Sequence, residues 1–148
     1  MNAAYIEAEA LKEWRAKFKK QKRRKQPEGQ IAESLVRWFS FAHTGFGVPD
    51  SRLLVHVPNE PRTFNRKALI QGAILKRQGL RRGFPDFFLF VSRGGLSGLA
   101  LELKSKNGKT SEEQDEMLSL LENQGYRVKV VFSLDQALSS ITEYLNLK

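Results

Sequence analysis

The chain has 148 residues, 41% of them apolar and 28% charged, enough for one sizeable core in an ordinary globular domain. With no cysteine and only two histidines, it has no disulfide framework, no thiolate metal centre and little prospect of the usual zinc site. No apolar run approaches the roughly 18 residues that span a bilayer, and the first residues lack the apolar centre of a secretory signal. The expected location is therefore intracellular, and cytoplasmic for a prokaryotic or viral protein.

The formal charge of +9 is unevenly spread: residues 12–25 hold nine Lys or Arg and one Glu, so this tract accounts for nearly all of it. Residues 1–26 read as a basic arm ahead of a domain spanning 27–148. Leu11, Trp14 and Phe18 at i, i+3 and i+7 predict an amphipathic helix, with a solvated tail as the plainer alternative. Lys22, Arg23 and Arg24 in this arm suit phosphate contacts, which give salt-dependent affinity without sequence information.

A first helix is expected over Glu28–Ala42, with Ile31, Leu35, Trp38 and Ala42 as its apolar stripe, ending at His43-Thr44-Gly45. The two histidines read as a helix-end residue (His43) and a strand residue (His56). A strand follows over Leu53–Val57, then a turn between Pro58 and Pro61. The next helix, Thr63–Gln78, is expected to pack Ala68, Leu69, Ile74 and Leu75 and to stop at Gly79. Asp86–Val91 and Leu99–Lys104 read as short apolar strands around the turn-forming Arg93–Gly98. Thr110 or Ser111 caps a helix through Glu122, closed by Gly125; Val128–Phe132 is a buried strand, and Ser133 opens a terminal helix through Tyr144. The order is α-β-α-β-β-α-β-α.

The hairpin carries the chemistry. Side chains alternate along a strand, so Glu102 and Lys104 share a face while Leu101 and Leu103 take the other, and Asp86 at the start of the partner strand meets Glu102 across the ladder. Two carboxylates so placed repel unless a cation lies between them, and hard oxygen ligands suit Mg²⁺ or Mn²⁺. Such an ion acidifies a water and clamps a phosphate oxygen, while Lys104 orients the nucleophile or offsets developing charge. The plainer alternative is a capped turn and a surface ion pair. Against it stands the cost of placing an acid and an amine among residues this apolar without partners.

Pro85-Asp86 followed by Glu102-x-Lys104 resembles the PD-(D/E)xK nuclease signature. The flanking Val57-Pro58-Asn59-Glu60, Lys76, Gly79, Gly83-Phe84, Thr110–Gln114 and Gly125-Tyr126 resemble its virus-type replication-repair branch, the VRR-NUC domain. The resemblance covers roughly residues 28–146. It implies an α/β fold with a restriction-endonuclease-like core, a central mixed β-sheet flanked by helices. It also implies Asp86, Glu102 and the Leu103 carbonyl as metal ligands and Lys104 as the catalytic lysine. Gln114 matches the glutamine on the following helix; one turn into that helix, it could touch Lys104 or a phosphate.

The family's first-helix acid has two candidates here. Glu28 lies at i−3 from Ile31, at the edge of the apolar stripe, and Glu33 lies opposite, so Glu28 is preferred, although it also suits a helix N-terminus through the macrodipole. Asn59 and Glu60 are expected to shape a loop bordering the site. Lys76, Arg81, Arg82, Lys106 and Lys109, together with Arg62, are expected in loops at the same end of the sheet, where they could grip DNA.

The resemblance further implies a Mg²⁺- or Mn²⁺-dependent DNA endonuclease, homodimeric, acting on branched DNA such as four-way junctions. Sequence-specific cutting is the weaker form of that reading, since no groove-reading element is evident. The alternative from another class is a non-catalytic DNA-binding module on the same fold. RNA or a nucleotide as substrate is disfavoured by the lack of an aromatic pair at single-strand-binding spacing.

Overall fold

Apolar residues at helical spacing along Glu28–Ala42 form the first helix, α1, in the computed structural model, which describes residues 28–57, 66–79 and 81–148. Ile31, Leu35, Trp38, Phe39 and Ala42 are buried on one side of α1. A 3-10 turn, His43–Phe46, continues it, and the stop is Gly47 rather than Gly45: Gly47 sits at φ 66°, a left-handed conformation without steric penalty for glycine. A second 3-10 turn, Ser51–Leu53, is capped by Asp50 and leads into strand β1, Leu54–His56.

Helix α2 spans Arg66–Arg77, β2 Phe87–Leu89 and β3 Gly98–Leu103. Helix α3 covers Glu112–Asn123, β4 Tyr126–Val131 and α4 Leu134–Leu145. The expected element order holds, with strand ends shifted by one or two residues.

The sheet runs β1-β2-β3-β4, antiparallel at the first two pairings and parallel between β3 and β4. A parallel pair needs a crossover, and α3 provides it. Phe87, Leu89, Leu99, Leu101 and Leu103 alternate onto one face and join the residues of α1 and α4 in a single core. Each such buried side chain contributes roughly 1.5–3 kcal/mol over its exposed state. Glu102, Ala100 and Phe88 take the other face, on the side of α3 and its buried Leu118.

The turn between β2 and β3 is tighter than the whole Arg93–Gly98 stretch. Arg93 and Leu96 exchange backbone hydrogen bonds of 3.2 and 2.9 Å around Gly94 and Gly95, at φ 56° and 78°. Two successive left-handed residues match the right-handed twist of the flanking strands.

One expectation is overturned at α2. Ile74 and Leu75 were to pack inward, but they are 40% and 38% exposed, as is Ile70 at 54%. Helical periodicity identified an apolar stripe correctly, yet a stripe is buried only where an element lies against it, and among the described residues α2 has no extensive contact with the sheet. The Ala68 and Leu69 side chains lie outside the described residues. Among the described residues, no helix is long and apolar enough to cross a membrane.

Candidate active site

The pairing of Phe87 with Leu101 sets Asp86, one residue earlier, opposite Glu102, one residue later. Asp86 is bound to two strands at once. Its carbonyl accepts from Val57 N–H at 2.8 Å, and its Oδ2 accepts from Leu103 N–H at 2.8 Å. The Leu103 carbonyl leaves the strand on the same edge as that N–H.

Glu102 is 1% exposed, the only charged residue among the buried ones described. Its Oε1 receives the Lys104 ammonium at 2.8 Å and the Gln114 side-chain amide. Its Oε2 is buried with no hydrogen-bond partner. Burial pushes both carboxyls above their ordinary pKa values. For Asp86 the Leu103 N–H and Lys104 oppose the rise, while for Glu102 Lys104 opposes it and the Asp86 charge adds to it. Asp50 shows the opposite environment: exposed and bonded by the Arg52 guanidinium, its carboxyl falls to about 2.

Gln114 was expected to reach Lys104 or a phosphate, and it reaches Glu102 instead. It stands at the third position of α3, where Ser111 Oγ accepts from its backbone N–H at 3.3 Å and its own Oε1 accepts from Ser111 N–H at 3.0 Å. That reciprocal pair is a capping box, and it consumes the amide oxygen. The amide nitrogen is what remains to hold the carboxylate. A glutamate would close the box equally well but would set a second negative charge against Glu102.

Glu28 starts α1 at the same end of the sheet, its Oε1 accepting from Ser105 N–H at 3.1 Å. Glu33 is exposed. A groove of about 550 Å³ runs between α1 and the sheet, lined by both glutamates, Arg37, His56, Asp86 and Leu103. Sequence reasoning left His56 as a plain strand residue, yet its ring lies 4.8 Å from that of Phe87 and it lines the groove beside Asp86. Its position at the end of a strand, directly before Val57-Pro58, was the available signal.

Lys76, Arg81, Arg82, Lys106 and Lys109 are all exposed. Lys22, Arg23, Arg24, Asn59, Glu60 and Arg62 lie outside the described residues. Among those described, no three His, Cys, Asp or Glu side chains are grouped so that they could hold a metal ion by themselves.

A family model for the VRR-NUC domain matches residues 50–134. A solved structure described as a VRR_NUC domain protein superposes with a TM-score of 0.69 at 23% identity, covering 84% of this chain and 92% of that one; at that identity the likeness is one of fold. No curated protein matches the sequence.

Proposed function

The chain belongs to the VRR-NUC family, a nuclease-type family, and on that premise we propose that it is a Mg²⁺- or Mn²⁺-dependent endonuclease hydrolysing DNA phosphodiesters. One observation carries the reading: a buried Glu102 carboxylate opposite Asp86, with an ammonium on one oxygen and no partner on the other. An oxygen desolvated without a hydrogen bond costs about 1–3 kcal/mol, more when charged, and a cation offsets that cost.

The donor chemistry fits. Asp86, Glu102 and the Leu103 carbonyl are hard oxygen donors, and Mg²⁺ is typically held by one or two carboxylates while keeping several waters. The small number of side-chain donors is therefore no obstacle. When bound, such an ion acidifies a water and polarises a phosphoryl oxygen.

The protein groups have separable tasks. The Leu103 N–H and the Gln114 amide fix the two carboxylates, so that little reorganisation remains when substrate arrives. Lys104 is 14% exposed and bonded to Glu102, close enough to the reacting end to orient a water or to receive charge developing on the phosphate. Glu28 anchors the start of α1 to Ser105 beside them. Lys76, Arg81, Arg82, Lys106, Lys109 and the arm residues Lys22, Arg23 and Arg24 supply phosphate contacts.

Branched DNA as substrate and a homodimer as the working unit complete the proposal, since two nicks on opposed strands need two sites related by a two-fold axis. The test is incubation of purified protein with labelled linear, flapped and four-way DNA, with and without each metal. Metal-dependent cleavage that is fastest on the four-way substrate is expected. Binding without cleavage under every metal would leave a DNA-binding module in its place.

A further inference from the structure

We propose that Gly83 is a positioning residue of this site: the missing side chain lets the first turn of α3 seat on the loop before Asp86, and that seat delivers the Gln114 amide to Glu102. The inference rests on the nuclease reading for its effect on turnover, and on the structure alone for the contact itself.

A Cβ at Gly83 would stand 2.6 Å from the Glu113 carbonyl carbon and 3.0 Å from Gln114 N, with the Glu113 carbonyl oxygen nearer still. These are backbone atoms of a capped helical turn, which cannot swing aside as a side-chain tip can. Gly83 also sits at φ 80°, where any other residue is strained.

The loop is short and held on its far side. Pro85 is fully buried, and the ring of Phe84 lies 5.6 Å from that of Phe88 on β2. Three residues after Gly83 comes Asp86, whose Oδ2 is fixed by Leu103 N–H. On the other side of the contact, the capping box makes Ser111–Gln114 one unit, so displacing Glu113 carries the Gln114 amide with it. One backbone contact thus sets two spacings: loop to Asp86, and α3 to Glu102. A side chain at position 83 forces one of the two out of place.

Gly95 provides the control. It has nearly the same φ, 78°, but nothing within 4 Å of a Cβ built on it, and it lies in the hairpin turn at the other end of β3. Gly83→Ala and Gly95→Ala therefore share the backbone strain and differ in the collision. Gly83→Ala is expected to lower kcat by about 10–100-fold with KM for DNA unchanged, the scale seen when a group orienting a metal ligand is lost. Gly95→Ala should keep wild-type turnover.

Two further readouts separate positioning from general damage. In ¹⁵N-labelled protein the Gln114 side-chain amide should resonate away from ordinary glutamine amides because it bonds a carboxylate. It should return to their range in Gly83→Ala and stay put in Gly95→Ala. In addition, Gly83→Ala combined with Gln114→Ala should lose no more turnover than the worse single variant, because both break the same connection.

Additive losses, or an undisplaced amide in Gly83→Ala, overturn the proposal. Should Gly83→Ala not fold, Ser111→Ala loosens the same turn without touching the loop, and an unmoved Gln114 amide with full turnover there overturns it as well. If the wild-type protein cuts no DNA with either metal, the nuclease reading falls, and the amide resonance still decides the seat.

Discussion

The two ends of the β2–β3 hairpin are built from similar short segments and solved in opposite ways. At the turn, Arg93 spends its guanidinium on three backbone carbonyls, those of Leu145, Ser92 and Phe46, at 3.3, 3.0 and 3.1 Å, while its backbone closes the tight turn with Leu96. At the other end, Glu102 is buried with one oxygen unpartnered, and both carboxyls are held above their ordinary pKa values. One end satisfies its polar groups; the other leaves one buried carboxylate oxygen without a partner. Local departures from good folding practice mark where a protein reserves a place for something else.

That contrast can be broken most severely by Lys104→Ala. Loss of the ammonium should reduce kcat by about 10²–10³-fold while DNA affinity, measured by anisotropy without metal, changes little. A variant that cuts at the normal rate would remove Lys104 from the chemistry. The mirror-image experiment is Arg93→Ala, expected to destabilise the fold by about 2 kcal/mol through lost charged hydrogen bonds, with turnover per folded molecule unaltered. Denaturant melts and single-turnover assays on the same preparations check it, and equal damage to both quantities would erase the division between the ends.

A finer cut is Gln114→Glu, which keeps the helix cap but faces Glu102 with a like charge. Turnover should fall about tenfold or more, and circular dichroism should show α3 intact. The smallest effect is on stability against pH. Burial raises the Asp86 pKa above its ordinary 3.8, so the folded protein holds that proton more tightly than the unfolded chain does. Stability therefore falls as pH rises from the ordinary carboxylate range through the raised value. Asp86→Asn should raise the melting temperature of the metal-free protein at pH 8, with the gain shrinking towards pH 4. A melting temperature lowered at pH 8 would contradict the sign.

Much of the carboxylate end of the hairpin was legible because its determinants are local. Strand alternation and a short turn suffice to bring Asp86 opposite Glu102 and to put Lys104 beside it, and helical phase suffices to favour Glu28 over Glu33 for the edge of the α1 stripe. What was not legible depends on how separate elements meet. The destination of the Gln114 amide follows from the seating of α3 on Gly83, a contact between residues thirty positions apart. The exposure of Ile70, Ile74 and Leu75 follows from where α2 lies, which no periodicity reports. His56 gained its place only once β1 paired with β2.

The bond between Glu28 Oε1 and Ser105 N–H has a practical corollary for anyone handling this molecule. Glu28 stands beside the carboxylates, whereas the last residues lie against the hairpin turn, with Leu147 Cβ and the Lys148 carbonyl within 4 Å of a Cβ built on Gly94. These two points are separated by the length of β3, six residues or roughly 20 Å of strand. A fluorophore, affinity tag or surface tether appended after Lys148 would therefore report on the protein from the pole remote from Asp86 and Glu102.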